Sequence, residues 1–298
     1  MLYFSRPRPY NRPMTQRKKK RNILLLALAV LLLAGAAAWA LPIPPAGAVK
    51  VPILMYHSVT DDPAKAGKYT VTAAEFEADM QWLSDNGYTT VFLSQLSDYE
   101  ETGAPLPEKP VVVTLDDGYE NNLTLVLPIL EKLDLKATVS VVGSFSLDTA
   151  DTRCHLDLAD VKTLADSGRV EIGSHTYAMH ENKAGGRRGC RRMSGESAAD
   201  YEAALTADLT ENQTLLTENC GVTPTVFTYP YGFVSPAARE VVKALGFKVS
   251  LTVFPGLNYL TGNPDELYGL RRFNRPSGVK TAAFMKRLDC PAAAWFSW

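Results

Sequence analysis

Asp116 and Asp117 follow an apolar, β-branched run, Val111–Leu115, and His175 and His180 follow a second such run, Val170–Ser174. A third run, Val51–Tyr56, ends at His57, and a fourth, Val226–Tyr229, ends at Pro230-Tyr231-Gly232. Each run reads as a strand, so each polar group stands at a strand's C-terminal end. Two imidazoles and one carboxylate make a three-ligand metal set that leaves a coordination position open for water or substrate. The set assigned is Asp117, His175 and His180. Residues five apart on a regular helix point about 140° apart. His180 is therefore expected in an irregular turn beyond the strand, unlike the one-turn pair of an H-E-x-x-H helix. Taken singly, each feature has an ordinary reading, since Asp-Asp-Gly suits a turn and a lone histidine at a strand end is commonly a packed ring. Their convergence on several strand ends points to a site. His155 has no such company and reads as a loop residue.

The elements that must position these groups alternate along the chain. Strands are expected at Val51–Tyr56, Tyr88–Phe92, Val111–Leu115, Ala137–Val142, Val170–Ser174, Val226–Tyr229, Lys248–Val253 and Gly269–Phe273. Several are almost wholly apolar, as strands covered on both faces of a parallel sheet are. Helical patterns lie between them, near Leu123–Leu133, Leu158–Ser167, Ala198–Glu218, Pro236–Leu245 and Thr281–Leu288. The clearest opens on a capping box, Thr72-Ala73-Ala74-Glu75, places Phe76, Met80 and Leu83 on one face and stops at Asn86-Gly87. This alternation predicts an α/β fold, a (β/α) barrel that is complete, distorted or incomplete, in which strand ends far apart in sequence share one rim. An open doubly wound sheet is the alternative, but no G-x-G-x-x-G follows the first strand to make it a dinucleotide fold.

Composition separates a head from a body. Of 31 basic and 32 acidic residues, eight basic and no acidic ones precede residue 42, leaving 23 against 32, a net of -9, in the remainder. An acidic body argues against nucleic acid as a partner. Residues 1–22 form a basic segment, and Ile23–Leu41 is an uncharged stretch about 28 Å long as a helix, enough to cross a bilayer once. Arg17–Arg21 should remain cytoplasmic, which puts a linker (42–50), a domain (51–289) and a tail (290–298) outside the cell membrane. Cleavage after Ala40 or Ala48 would instead release a secreted body. Cys154, Cys190, Cys220 and Cys290 contain no CxxC and permit three fully paired arrangements. Glu181–Ser197, with four arginines and no apolar period, reads as a surface loop after a strand end, either a substrate contact or a solvated insertion.

Thr114-Leu115-Asp116-Asp117-Gly118, Ser174-His175-Thr176-Tyr177-Ala178-Met179-His180 and Tyr229-Pro230-Tyr231-Gly232 resemble the first three motifs of the polysaccharide deacetylases, the NodB-homology carbohydrate esterases, over roughly Val51 to Leu288. Pro52-Ile53-Leu54-Met55-Tyr56-His57-Ser58-Val59 and the five-residue histidine step resemble the branch that includes poly-N-acetylglucosamine deacetylases. The resemblance implies a metal-dependent hydrolase that releases acetate from acetamido groups of N-acetylglucosamine-containing envelope or extracellular polysaccharide, whether poly-N-acetylglucosamine or peptidoglycan glycan. It further implies Asp116 as general base, and Asp117, His175 and His180 as ligands of a divalent metal, zinc first, with cobalt or nickel as alternatives. The backbone N–H of Tyr231 would face the oxyanion, and His57 would protonate the departing amine. One departure stands out. The family's third motif carries an arginine against the base where this chain has Thr228, so Arg271, Arg272 or Arg275 would have to supply that charge, with Arg271 also counted at the substrate. Leu115, where Phe is commoner, exchanges one core residue for another. Tyr177 and Tyr229, with Tyr119, Tyr231 and Phe233, offer faces for sugar rings or else pack the barrel mouth. Two other readings stay open: a catalytically weak carbohydrate-binding envelope protein, and a metal-dependent hydrolase of a small non-peptide C–N bond.

Overall fold

The apolar runs fold as strands: β1 (Val49–Val51), β2 (Ile53–Tyr56), β3 (Ser58–Thr60), β4 (Thr70–Thr72), β5 (Thr89–Thr90), β6 (Pro110–Leu115), β7 (Ala137–Val141), β8 (Val170–Ser174), β9 (Val226–Thr228), β10 (Val249–Leu251), β11 (Asn258–Leu260), β12 (Tyr268–Leu270) and β13 (Phe273–Asn274). This computed structural model describes residues 44–148, 154–182 and 184–289. The basic segment 1–22, the span expected at 23–41 and the tail 290–298 lie outside the described residues. Among the described residues no helix is long and apolar enough to cross a membrane. Val49 and Lys50, read as linker, instead form β1, which pairs antiparallel with β11; three residues are too few for their alternation to be recognised.

The main sheet runs β12-β10-β9-β8-β7-β6-β2-β13, with β5 beside β6, and every neighbouring pair is parallel. Its two end strands, β12 and β13, are separated in the chain only by Arg271 and Arg272. Three Cα steps span at most about 11 Å, so the sheet must curl until its edges face one another. The two edge strands do not pair, and a seam remains where a closed barrel would have none. The result is the expected α/β barrel in an incomplete, barrel-like form, whereas a doubly wound sheet would hold its edges far apart.

Two apolar layers sandwich the sheet. Leu54, Val113, Val139 and Ile172 belong to the outer layer, one apolar cluster that also holds Phe76 and Met80 of α1 (Ala73–Asp85). The lower interior is filled by Ile53, Val112, Val226 and Val249, and it is plugged by Leu93 and Leu96 of α2 (Leu93–Thr102). That helix is not legible in the sequence because its cap is non-local: the Glu171 carboxylate of β8 accepts the N–H groups of Leu93 at 3.0 Å and Ser94 at 3.1 Å. Such a carboxylate answers the otherwise unpaired N–H groups of a helix start. Higher in the barrel the interior turns polar, with Thr138 bonded to Glu171 at 2.9 Å and Ser140 to Thr228 at 2.7 Å. The expected capping box is present, as Thr72 Oγ1 accepts Glu75 N–H at 3.1 Å and the Glu75 carboxylate accepts Thr72 N–H at 2.9 Å. Among the described residues Cys154, Cys190 and Cys220 form no disulfide, and Cys290 lies outside them.

Candidate active site

Because the strands run parallel, the residues following β2, β6, β8 and β9 emerge on one rim. Asp117 follows β6 with φ 75°, and Gly118 follows at φ 72°. Two successive left-handed residues turn the chain sharply enough for the side chains of Asp116 and Asp117 to serve different partners. Asp117 Oδ1 lies 3.4 Å from His175 Nε2 and 3.1 Å from His180 Nε2. One ligand atom from each of the three lies within 4.8 Å of the others. Both imidazoles are oriented from behind. His175 Nδ1 is 2.7 Å from the Thr228 carbonyl, which can only accept, so Nδ1 carries a proton and Nε2 faces Asp117. His180 Nδ1 lies 3.2 Å from the Tyr231 hydroxyl. Burial opposes charge on Asp117, but hydrogen bonds from the two histidines outweigh it and hold the carboxyl well below its usual range. The same partnership raises His175 against the effect of its burial.

His180 sits in the irregular stretch that its spacing predicted, and α3 (Ala198–Cys220) fixes that stretch. The Asp208 carboxylate of this helix accepts the N–H groups of Tyr177 at 2.9 Å and Ala178 at 2.8 Å. Asn212, one turn on, donates to Ser174 Oγ at 2.8 Å and to the Val141 carbonyl at 3.2 Å. Thr176 and Tyr231 also have positive φ, 75° and 56°. Three of the five non-glycine residues in this strained region, among those described, therefore belong to the site.

Asp116 is clamped by an arginine. Arg272, fully buried, donates from both terminal nitrogens to the two carboxylate oxygens at 2.7 and 2.8 Å. It also donates to Thr114 Oγ1 at 3.1 Å and, through Nε, to the Thr252 carbonyl at 2.8 Å. Burial alone would raise the Asp116 carboxyl, and the Arg272 charge and hydrogen bonds bring it below the ordinary value instead. His57 Nε2 stands 3.9 Å from Asp116 Oδ2, an oxygen that Arg272 also holds, and its ring lies against Tyr69 at 4.8 Å. Burial lowers the His57 pKa, while Asp116 and Asp117 work in the other direction. Asn122, in a wide π turn (Asn122–Val126), donates to the His57 carbonyl at 3.0 Å.

The structure thus brings together His57, Asp116, Asp117, His175, His180 and Tyr231, and it separates the three arginines offered for the missing charge. Arg272 faces Asp116. Arg271 points elsewhere, with its guanidinium 3.4 Å from the Pro255 carbonyl. Arg275 is buried outside the ring on Asp79, with Nε 2.6 Å from Oδ2. Tyr229, expected at the substrate, is instead buried in an apolar cluster with Phe227, Tyr201 and Cys190, because alternation turns it away from the rim. Tyr177 is half-buried, its ring close against Gly143. His155, read as an isolated loop residue, stacks on Tyr119 at 4.7 Å and leans on Phe145 at 4.6 Å, and Phe145 meets His180 edge-on at 5.5 Å. The backbone pairing of Leu156 N–H with the Gly118 carbonyl brings it there, a contact that local spacing does not reveal.

The model of the family described as polysaccharide deacetylase matches residues 103–250. The chain is 30% identical over 250 residues to the poly-beta-1,6-N-acetyl-D-glucosamine N-deacetylase of Escherichia coli K12, covering 75% of this chain and 37% of that protein. It therefore spans little more than a third of that relative's length. The Staphylococcus aureus protein of the same name is 24% identical over 186 residues, 62% of this chain and 61% of that one. Among solved structures, a de-N-acetylase from Aggregatibacter actinomycetemcomitans superposes with a TM-score of 0.67 and 26% identity, covering 80% of this chain and 100% of that one. The BpsB deacetylase domain of Bordetella bronchiseptica gives 0.64 and 25%, covering 79% and 98%.

Proposed function

Since the chain belongs to the polysaccharide deacetylase family, we propose that it is a metal-dependent N-deacetylase that hydrolyses acetamido groups of an N-acetylglucosamine-containing polysaccharide and releases acetate. One observation carries this reading: a buried, arginine-clamped carboxylate stands beside a carboxylate that two oriented imidazoles face.

The donor set fits a divalent ion. Asp117, His175 and His180 offer one oxygen and two nitrogens, and both histidines have their remaining nitrogen engaged elsewhere. Zinc suits this set, with cobalt or nickel as alternatives; when bound, the ion would supply Lewis acidity for the attacking water and the acetamide carbonyl. The remaining steps belong to the protein. Asp116, kept ionised and immobile by Arg272, takes a proton from the attacking water. The N–H of Tyr231, set by its left-handed backbone, faces the oxygen of the carbonyl under attack. His57, across from Asp116, delivers a proton to the departing sugar nitrogen. Arg272 supplies the charge that Thr228 lacks, which removes the motive for a catalytically weak carbohydrate-binding protein.

The names of the relatives favour poly-β-1,6-N-acetylglucosamine as substrate over the glycan of peptidoglycan. For location we propose the outer face of the cell membrane, on the strength of the basic run before the uncharged stretch Ile23–Leu41. The test is acetate release from N-acetylglucosamine oligomers and from peptidoglycan, with zinc or chelator. Asp116→Asn should lower turnover at least about a hundredfold with metal still bound, and His175→Ala should lose metal as well. Unimpaired release from either variant would sink the assignment.

A further inference from the structure

Within the stretch Glu181–Ser197, which the reaction above leaves unused, the described residues 184–197 form a braced structure. The Glu196 carboxylate pairs with the Arg187 guanidinium and accepts Met193 N–H at 2.9 Å. Tyr201 donates its hydroxyl proton to the Cys190 carbonyl at 2.7 Å, and Arg192 donates from its backbone to Ser235 Oγ at 2.9 Å and from Nε to the Glu196 carbonyl at 2.8 Å.

This bracing consumes Arg187 and leaves three other guanidinium groups exposed. Arg188, Arg191 and Arg192 line a surface cavity of about 480 Å³, and none has a carboxylate within ion-pairing distance among the described residues. Arg188 is fixed by the Asn182 side chain at 2.9 Å and lies 4.4 Å above the Phe233 ring. That ring is 5.8 Å from Tyr231, whose own ring is 4.6 Å from His180. An aromatic shelf therefore joins the cavity to the rim of the candidate active site. In a body of net charge -9, a group of like charges beside the rim, two of them held by side-chain hydrogen bonds, is a local exception. Like charges held together repel unless an anion joins them, and guanidinium forks match carboxylate and phosphate oxygens in pairs.

We propose that this cavity binds an acidic substituent, a carboxylate or a phosphate, carried by glycan units that adjoin the acetamido sugar at the rim. The proposal rests on the deacetylase reading and narrows its substrate to N-acetylglucosamine polymers that also carry acidic substituents, such as a partly acid-decorated poly-N-acetylglucosamine, over wholly neutral ones. The shelf of Tyr231 and Phe233 supplies faces for the intervening sugar ring.

The test measures both equilibrium binding and acetate release. The probes are tetrasaccharides of equal length: N-acetylglucosamine alone, N-acetylglucosamine alternating with a carboxylate-bearing N-acetylhexosamine, and N-acetylglucosamine bearing phosphate. At low salt the intact chain should bind one or both acidic probes about five- to tenfold more tightly than the neutral one, the range that a few exposed charge-assisted contacts give. The gap should close as ionic strength rises, vanish in R188Q/R191Q/R192Q and persist in R169Q, which removes an arginine at the far end of β8. The two acidic probes separate carboxylate from phosphate. Equal affinities for all three probes, or a gap unchanged in the triple variant, overturn the proposal. Binding of phosphatidylglycerol vesicles through the same arginines, with no gap among oligosaccharides, overturns it in favour of a membrane contact. Acetate release without a gap retains the deacetylase reading and rejects the subsite; an arginine-dependent gap without acetate release from any probe does the reverse.

Discussion

Arg271, Arg272 and Arg275 lie within five residues of one another and do three different things. Arg272 is buried on Asp116, Arg275 is buried on Asp79, and Arg271 is exposed. Removing one partner of a buried, hydrogen-bonded ion pair costs about 3–5 kcal/mol, because the abandoned charge cannot reach water. Arg272→Gln and Arg275→Gln should therefore both lower stability by that order in denaturant titrations, while Arg271→Gln should stay within about 0.5 kcal/mol. Activity per folded molecule then divides the pair: Arg272→Gln loses it and Arg275→Gln keeps most of it. Intact turnover in folded Arg272→Gln would show that the clamp is only structural. Asp117, His175 and His180 were legible in the sequence because each follows an apolar strand and the strand ends share a rim. The choice among the arginines was not, since it depends on which way each side chain leaves the backbone just before and just after β13. Tyr229 lies away from the rim for a related reason, as alternation decides its direction and composition does not.

At the scale of elements, the start of α1 shows how a local motif acquires distant partners. The Glu75 carboxylate, besides closing the box with Thr72, accepts Ser277 Oγ–H at 2.7 Å and Gly278 N–H at 2.7 Å. It thereby ties the helix to the chain that follows β13. Burial pushes this carboxyl up, but the hydrogen bonds from Thr72, Gly278 and Ser277 prevail and its pKa is lowered. A depressed folded-state pKa contributes stability above the unfolded value near 4.3, and that contribution is lost as pH falls through the folded value. Glu75→Gln should be less stable than the native chain at pH 7 by about 1 kcal/mol. The difference should shrink toward zero below the usual glutamate range, as read from denaturant midpoints across a pH series; a constant difference would show that the carboxylate charge is irrelevant. The capping box made α1 visible in advance. By contrast, α2 stayed hidden because Glu171, which caps it, lies 78 residues from Leu93. The loop with His180 likewise owes its shape to Asp208 on a later helix.

For the whole molecule, the alternation of strands and helices foretold the barrel, but its incompleteness depends on which strands pair, and strand type alone does not state that. One guanidinium spans the seam between β12 and β13. On one side Arg272 holds the carbonyl of Thr252 just past β10, and on the other it holds Asp116 and Thr114 of the β6 segment. With no backbone ladder across the gap, this ring is expected to breathe there first. In hydrogen–deuterium exchange, amides of residues 268–275 should open at lower free energy than those of β6, β7 and β8, and Asp116→Asn should speed them by about tenfold, roughly 1.4 kcal/mol. Uniform protection around the ring would contradict this. On the proposed mechanism, a seam that breathes would make the general base double as a latch, and each turnover that lends it a proton would briefly loosen the wall of the vessel in which the reaction runs.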